Sequence, residues 1–192
     1  MLVSQAVHAA ELFIGDKLPA DTTERVYLEI IKEKENILLI GMPSSGKSTV
    51  GRIIAEKLGR VFVDTDELIE KRAGMQIKDI FATYGEARFR EIESLVISQV
   101  ARECGLVIAT GGGAVLKKDN RVALEYNGKM YYIDRSVENL IPTDTRPLAS
   151  DRAAIESLYN ERFDIYCSVC EERIDGDRDP EEVADDIMEK YR

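Results

Sequence analysis

The sequence has too few histidines and cysteines for several common kinds of metal or disulfide site. It contains one histidine, His8, and three cysteines, Cys104, Cys167 and Cys170. A structural zinc site needs about four ligands, which one distant histidine and the C-x-x-C at residues 167–170 do not provide. An odd, low cysteine count without an export signal is typical of reduced thiols in the cytoplasm. We therefore expect these cysteines to be structural or incidental.

Long apolar runs and an excess of basic residues are also missing. No apolar run approaches the length of a transmembrane helix, and residues 1–15 lack the basic start of a signal peptide. The net charge of −10 disfavours a protein that wraps nucleic acid. A hydrophobic content of 44% and a charged content of 32% indicate a soluble, globular chain, and 192 residues are enough for one domain with a hydrophobic core. We expect a cytoplasmic protein without nucleic-acid or membrane partners.

The most informative stretch present is a loop suited to holding phosphate. Residues 41–50, GMPSSGKSTV, fit G-x-x-x-x-G-K-[ST]. Glycines in this pattern let successive backbone N–H groups surround phosphate oxygens. Lys47 would reach the β- and γ-phosphates, and the Ser48 hydroxyl would bind Mg²⁺. An apolar strand pattern precedes the loop and an amphipathic helix pattern follows it, which is the context that the motif requires.

The rest of the chain alternates between strand and helix patterns. The strand patterns cover residues 36–41, 61–66, 105–113 and 129–134, and the helix patterns cover residues 66–73, 77–84, 86–103, 151–170 and 180–191. This alternation favours a parallel sheet with helices on both faces, in which ligands bind beyond the carboxyl ends of the strands. Residues 141–150 interrupt it and predict either a mobile lid over the site or an ordinary surface loop.

Four charged residues and a glycine turn could build a site for the phosphate acceptor. Of Asp64 and Asp66, one could hold Mg²⁺ through water and the other could accept the proton of an attacking hydroxyl. Arg90 and Glu93 share a helix face, and a guanidinium fork suits a carboxylate. Glycines 111–113 allow the backbone to approach a ligand. The alternatives are a helix cap, a surface salt bridge and a tight turn.

From residue 36 to its end, the chain resembles the shikimate kinases. The resemblance is carried by GMPSSGKST, FVDTDELIEKRAG (residues 62–74), IFATYGEARFREIE (80–93), ATGGGAV (109–115), RPL (146–148) and Arg162 followed by Tyr166. It implies a P-loop kinase fold: an α/β protein with a five-stranded parallel sheet, helices on both faces and a mobile lid. It also implies transfer of phosphate from ATP to the shikimate 3-hydroxyl, giving shikimate 3-phosphate and ADP, in aromatic amino acid biosynthesis.

The resemblance further implies a role for each matching residue. ATP would be bound by Pro43, Ser44, Ser45, Gly46, Lys47, Ser48, Thr49, Arg146 and Arg178. Shikimate would be bound by Asp66, Arg90, Glu93, Gly111, Gly112, Gly113 and Arg162. Mg²⁺ would be held by Ser48 and, through water, by Asp64. The catalytic residues would be Lys47, Asp66 as the base, and Arg146 reaching the phosphates from the lid.

Two observations leave alternatives open. The family usually has proline where this chain has Asp164, so this acid either weakens carboxylate capture by Arg162 or faces solvent. A gluconate or nucleoside monophosphate kinase could use the same scaffold, and so could a non-catalytic regulatory domain. The FRxxE and GGG motifs argue against the first rival, and the intact charged residues argue against the second.

Residues 1–35 predict a helical extension ahead of a kinase domain at residues 36–192. MLVSQAVHAAELFIGDKLP resembles the closing helix of shikimate dehydrogenase, in which the glutamine matching Gln5 helps to hold the substrate. That resemblance implies a covalent or functional link to a dehydrogenase, without dehydrogenase activity in this chain. The alternative is a plain amphipathic helix, followed by a second helix at residues 22–34. Its apolar face would be formed by Leu2, Ala6, Ala9, Ala10 and Phe13. A monomer or weak homo-oligomer is expected.

Overall fold

The computed structural model of the protein describes residues 1–142, 147–149 and 151–191. Its strands are β1 (Asn36–Ile40), β2 (Phe62–Asp64), β3 (Val107–Ala109), β4 (Gly128–Asp134) and β5 (Glu172–Asp175). They form one sheet in the order β2-β3-β1-β4-β5, and all four neighbouring pairs are parallel. The predicted five-stranded parallel sheet is therefore confirmed.

Helices cover both faces of this sheet. They are α1 (Leu2–Ile14), α2 (Thr22–Lys34), α3 (Lys47–Leu58), α4 (Thr65–Ala73), α5 (Ile77–Val100), α6 (Lys118–Glu125), α7 (Arg152–Val169) and α8 (Pro180–Tyr191). Short 3₁₀ turns occur at Ala114–Leu116, Val137–Asn139 and Pro147–Ala149. Within the described ranges, no helix combines the length and the apolar character needed to span a bilayer.

The core lies on both sides of the central strand β1, which is buried along its whole length. Successive side chains of a strand point to opposite faces. Leu38 and Ile40 accordingly pack with α4, α5, α6 and α7, whereas Ile37 and Leu39 pack with α3 and α8. Two buried faces explain why the strand reads as a continuous apolar run rather than as an alternating one.

Three elements differ from the sequence prediction. The helices expected at residues 77–84 and 86–103 form the single element α5, which is kinked where Gly85 has φ 76° and ψ 174°, and which ends at Val100. Strand β5 was not predicted from its pattern, because only Ile174 among its four residues is buried. It lies at the sheet edge, where charged side chains are common. Helix α6 was missed as well.

Residues 1–35 form a pair of helices, and the end of the second helix is attached to the rest of the chain. Arg60 donates to the carbonyls of Lys32 and Glu35, and the Tyr191 hydroxyl also donates to the Lys32 carbonyl, so the last turn of α2 is capped from outside. Helix α1 has no buried residue. The expected helix forms, Leu2 and Phe13 on its apolar face are exposed, and its partly buried residues are Val3, Val7, Ala10 and Glu11.

Candidate active site

The phosphate-binding motif forms a tight loop between β1 and α3. Gly41, Ser44 and Gly46 have φ values of 143°, 64° and 93°, which turn the backbone N–H groups inward. A Cβ atom at Gly41 would lie 2.6 Å from the carbonyl oxygen of Ile133 on β4, so the loop needs glycine there. Helix α3 begins at Lys47 and directs its positive end at the loop.

Lys47 lies over this loop. Its ammonium group donates to the carbonyl oxygens of Gly41 at 3.0 Å and Met42 at 2.6 Å, and the residue is buried. The other residues predicted to bind ATP are close in the chain: Ser45 is buried, Pro43, Ser44, Gly46 and Ser48 are half-buried, and Thr49 is exposed. The loop therefore offers backbone N–H groups, side-chain hydroxyls and one cation to an anion.

Ser48 and Asp64 offer a pair of oxygen atoms beside the loop. The Ser48 hydroxyl donates to one oxygen of Asp64 at 2.6 Å, and the other oxygen accepts from the backbone N–H of Asp66 at 2.9 Å. Asp64 is thus also the N-cap of α4, so the helix-cap interpretation of this residue is compatible with the metal-binding one. Within the described residues, no cluster of three or more acidic, histidine or cysteine side chains could hold a metal ion alone.

A cleft opens next to the loop. It is lined by Pro43, Asp66, Ile77, Phe81, Phe89, Arg90, Glu93, Gly111, Gly112, Gly113, Leu148, Ala149 and Arg162. The structure therefore brings together all seven residues that were predicted to bind the acceptor. Apolar side chains form part of the wall, and two arginines and two carboxylates supply the charge. Such a cleft suits a small, polar, anionic molecule.

Arg90 and Glu93 form one charged wall of the cleft. Their side chains pair at 2.8 Å, and Glu93 is only 2% exposed, so this is not a surface salt bridge. Arg90 also pairs with Glu86 at 3.0 Å. Burial raises the pKa of Glu93, the positive charge of Arg90 opposes that rise, and the negative charge of Asp66 adds to it. The arginine is thereby held with its fork towards the cleft.

The raised pKa of Glu93 predicts a pH-dependent stability. A raised folded-state pKa contributes stability that is present below the unfolded pKa, near 4.5, and is lost as the pH rises through the folded value. The melting temperature of the wild type minus that of Glu93→Gln should therefore fall as the pH rises from about 4.5 to 7. Thermal unfolding at several pH values measures this difference. Glu91→Gln, which removes an exposed partner of Arg88, is the control, and a difference that grows with pH would contradict the assignment.

A side chain at any glycine of the turn after β3 would push a neighbouring group out of its place. The Gly111 N–H donates to the buried Thr65 hydroxyl at 2.9 Å. A Cβ atom at Gly111 would lie 2.5 Å from an oxygen of Asp66, and one at Gly113 would lie 2.3 Å from the Arg90 guanidinium. At Gly112 it would lie 2.9 Å from the Pro43 ring. The turn thus touches the base candidate, the arginine and the phosphate loop.

Arg162 enters the cleft from α7. It is 3% exposed, and its Nε atom has no hydrogen-bond partner among the described residues. Such a buried guanidinium is expected to bind an anionic ligand group. One turn later, the Tyr166 hydroxyl donates to the Gly112 carbonyl at 2.5 Å. Asp164 is exposed, so of its two predicted alternatives the solvent-facing one is observed.

One predicted ATP contact, Arg178, does not line this cleft. Arg178 lies between β5 and α8, where it pairs with Asp186 at 2.5 Å and with Asp175 at 3.8 Å. Arg146 and the central part of the predicted lid lie outside the described residues, so their roles stay predictions. From the lid segment, Leu148 and Ala149 line the cleft.

Sequence reasoning missed several residues around the cleft. Ile77 and Phe81 line it, but their spacing of four on a helix is also that of ordinary core residues. Thr65 holds the glycine turn, and its position between the two aspartates of DTD was the available signal. The sequence indicates Tyr166 only as the last residue of the motif that begins at Arg162, without a role in the site. Its contact with Gly112 joins residues 54 apart in the chain, which no local pattern shows.

Comparisons with known proteins identify the family of the chain. The sequence model of the shikimate kinase family matches residues 43–192. The chain is similar to the shikimate kinase of Symbiobacterium thermophilum, with 42% identity over 82% of this chain and 96% of that protein. It is also similar to the shikimate kinase of Chromobacterium violaceum, with 41% identity over 73% of this chain and 80% of that protein.

A solved structure shows the same architecture. The shikimate kinase from Acinetobacter baumannii in complex with shikimate matches with a TM-score of 0.80 and 32% identity, over 84% of this chain and 95% of that chain. The predicted fold and the predicted family are both confirmed. With a phosphate loop, an acidic pair and a cleft that carries two arginines, this chain belongs to the shikimate kinase family.

Proposed function

We propose that the chain transfers the γ-phosphoryl group of ATP to the 3-hydroxyl of shikimate, giving shikimate 3-phosphate and ADP, in the cytoplasm and as a step of aromatic amino acid biosynthesis. The observation that carries the proposal is the cleft itself. It places Asp66, Arg90 and Arg162 around one small space, and that space touches the phosphate loop where Gly112 meets Pro43. A hydroxy acid bound there would have its hydroxyl close to the end of the phosphate chain.

The basic residues bind the anionic groups of the two substrates, and the acidic residue binds and deprotonates the hydroxyl. Arg90 and Arg162 hold the carboxylate of shikimate, and Asp66 accepts ring hydroxyls and takes the proton of the attacking one. A bond forms between the 3-oxygen and the γ-phosphorus, and the bond from that phosphorus to the bridging oxygen breaks. The leaving electron pair stays on ADP. Lys47 and Arg146 stabilise the charge on the phosphates.

We propose that Mg²⁺ accompanies ATP, bound by Ser48 and, through water, by Asp64. The two side-chain oxygens fit this metal because Mg²⁺ usually takes only one or two protein oxygens and keeps waters and phosphate oxygens as its other ligands. When bound, it would neutralise charge on the β- and γ-phosphates. We expect EDTA to stop turnover and added Mg²⁺ to restore it. Turnover that continues in EDTA would contradict a metal requirement.

The product identifies the reaction directly. After incubation with Mg-ATP and shikimate, ³¹P nuclear magnetic resonance should show a new monoester signal, with a proton coupling that assigns the phosphate to the 3-position. ADP should appear in equal amount. A signal of inorganic phosphate alone would instead indicate hydrolysis, and a monoester at another hydroxyl would show that the acceptor binds in a different orientation.

Replacing Gly113 with alanine should weaken shikimate binding while leaving the fold intact. Gly113 has an ordinary φ of −100°, so alanine fits its backbone, but the new Cβ atom would displace the Arg90 guanidinium. We expect the KM for shikimate to rise about tenfold and the KM for ATP to change less than about twofold. Steady-state kinetics with each substrate varied measures both, and thermal unfolding checks the fold. Equal effects on both substrates would contradict the assignment.

We also propose that residues 1–35 are a separable extension of the kinase domain at residues 36–192, linked in function or covalently to a shikimate dehydrogenase. The supporting observation is the exposed apolar surface of α1, because such a surface is typical of an interaction site. It is formed by Met1, Leu2, Leu12, Phe13 and Ile14.

Pull-down with a purified shikimate dehydrogenase tests this link. The double variant Leu12→Ser with Phe13→Ser should lose binding and keep kinase activity, whereas Val61→Ser, exposed elsewhere, should keep both. Light scattering of the chain alone separates a monomer from a weak homo-oligomer. Self-association that the same double variant abolishes, without dehydrogenase binding, would contradict the link.

A further inference from the structure

Tyr166 is a buried aromatic residue directly behind Arg162. It is 1% exposed, and its position four residues after Arg162 on α7 puts both side chains on one face of the helix. Its hydroxyl donates to the Gly112 carbonyl at 2.5 Å. Burial raises the pKa of Tyr166 to about 12, and the Arg162 guanidinium opposes the rise through its charge and a hydrogen bond to the hydroxyl. The hydroxyl is therefore bonded to the glycine turn and lies beside the arginine.

The backbone that this hydroxyl holds is in contact with both halves of the site. Gly112 packs on the Pro43 ring of the phosphate loop so closely that a Cβ atom would lie 2.9 Å away. The next residue, Gly113, packs on the Arg90 guanidinium in the same way. A shift of this turn would therefore change the carboxylate-binding wall and its distance from the phosphate loop together.

The ring of Tyr166 is fixed by contacts that do not involve its hydroxyl. It stacks on Tyr132 with the centroids 4.9 Å apart and the planes at 29°. The Tyr132 hydroxyl donates to Asp134 at 2.7 Å, and Asp134 is also paired with Arg173. Packing and hydrogen bonding are thus separable at this position, because removal of the hydroxyl leaves the stacked ring in place.

We propose that the Tyr166 hydroxyl is a positioning group for acceptor binding, which holds the Arg162 fork and the Gly112 carbonyl in one geometry. Arg162 binds a carboxylate with two parallel hydrogen bonds only when its plane is correctly oriented. A group that fixes this orientation before the acceptor arrives lowers the cost of binding. Tyr166 itself does not line the cleft, whereas Arg162 and Gly112 do, so it acts through these two neighbours.

The variant Tyr166→Phe tests the hydroxyl alone, and Tyr132→Phe is the matched control. Both keep a buried, stacked ring and both lose the hydrogen bond that the hydroxyl donates, but only the Tyr166 hydroxyl donates to the site. We expect Tyr166→Phe to raise the KM for shikimate about tenfold, with the KM for ATP and kcat within about twofold of the wild type. Tyr132→Phe should leave both KM values within about twofold. In the Arg162→Lys background, Tyr166→Phe should add little, because coupled residues are not additive.

Amide hydrogen exchange provides a readout that needs no substrate. Peptides covering residues 107–116 should exchange several times faster in Tyr166→Phe than in Tyr132→Phe, because the turn loses a tether. The kinetic part of the test rests on the proposed function, whereas the exchange part does not. If the wild type fails to phosphorylate shikimate, the proposed function is wrong and exchange alone decides the role of Tyr166. Equal exchange in both variants, with equal losses of melting temperature and no change in KM, would overturn the proposal.

Discussion

Replacing Asp66 with asparagine should lower kcat about a thousandfold, within the range measured for loss of a general base. Asparagine has nearly the same shape but cannot accept the proton of the attacking hydroxyl at neutral pH. Asp66 lines the cleft beside Gly111 and follows the N-cap of α4, so its carboxylate is held by the fold at the edge of the phosphate loop. The Kd for ATP should change less than about twofold, since Asp66 contributes no part of the loop motif.

The measurement combines steady-state turnover with calorimetric titration of ATP. Glu67→Gln is the matched control, because Glu67 is the next residue on α4 but is exposed and paired with Arg52. We expect normal turnover in that control. Near-normal turnover in Asp66→Asn would remove Asp66 from the role of base. A loss of ATP binding equal to the loss of turnover would show that it acts on the nucleotide instead.

Replacing Arg162 with lysine should raise the KM for shikimate about thirty- to a hundredfold, because a lysine cannot form two parallel hydrogen bonds to a carboxylate. Lysine keeps the positive charge, so the rise in KM reports the lost hydrogen-bond geometry rather than a lost charge attraction. Burial makes the effect large: Arg162 is 3% exposed, and its Nε atom has no other hydrogen-bond partner within the described chain. The KM for ATP should change less than about threefold.

Arg152→Lys provides the control on the same helix. Arg152 is at the start of α7, partly exposed, and pairs with Glu156 at 3.7 Å, so its replacement should leave both KM values unchanged. Initial rates with shikimate and ATP varied in turn give the two constants. An equal rise in both KM values for Arg162→Lys would mean that this arginine does not bind the carboxylate of the acceptor.

Much of the site could be predicted because its residues belong to local patterns. The phosphate loop, the acidic pair after β2 and the glycine turn after β3 each follow a strand, and parallel strands bring their carboxyl ends to one edge of the sheet. Seven predicted acceptor-binding residues accordingly meet in one cleft. Residue spacing also placed Arg90 and Glu93 on one helix face, and the structure confirms their pairing.

What could not be predicted depends on contacts between distant parts of the chain. Burial of Glu93 decides between a surface ion pair and a wall of the site, and no local pattern reports burial of a charged residue. Edge strand β5 has only one buried side chain, so its sequence does not show the alternation of apolar and polar residues that marks a strand. Helix α1 shows the same limit: apolar spacing identifies one face, but the partly buried residues Val3, Val7 and Glu11 lie outside that set. Which residues of a helix or strand become buried is decided by the elements that pack against it in the folded chain.

The central claim is that shikimate is the phosphate acceptor, and coupled ADP release tests it most directly. The rate would be measured with Mg-ATP alone and with shikimate, quinate, gluconate or AMP at equal concentration. We predict ADP release that depends on shikimate and is near background with the other three. Release that depends on gluconate or AMP would assign a different small-molecule kinase. Tight ATP binding without release in any mixture would contradict catalysis and identify a regulatory domain of the same fold.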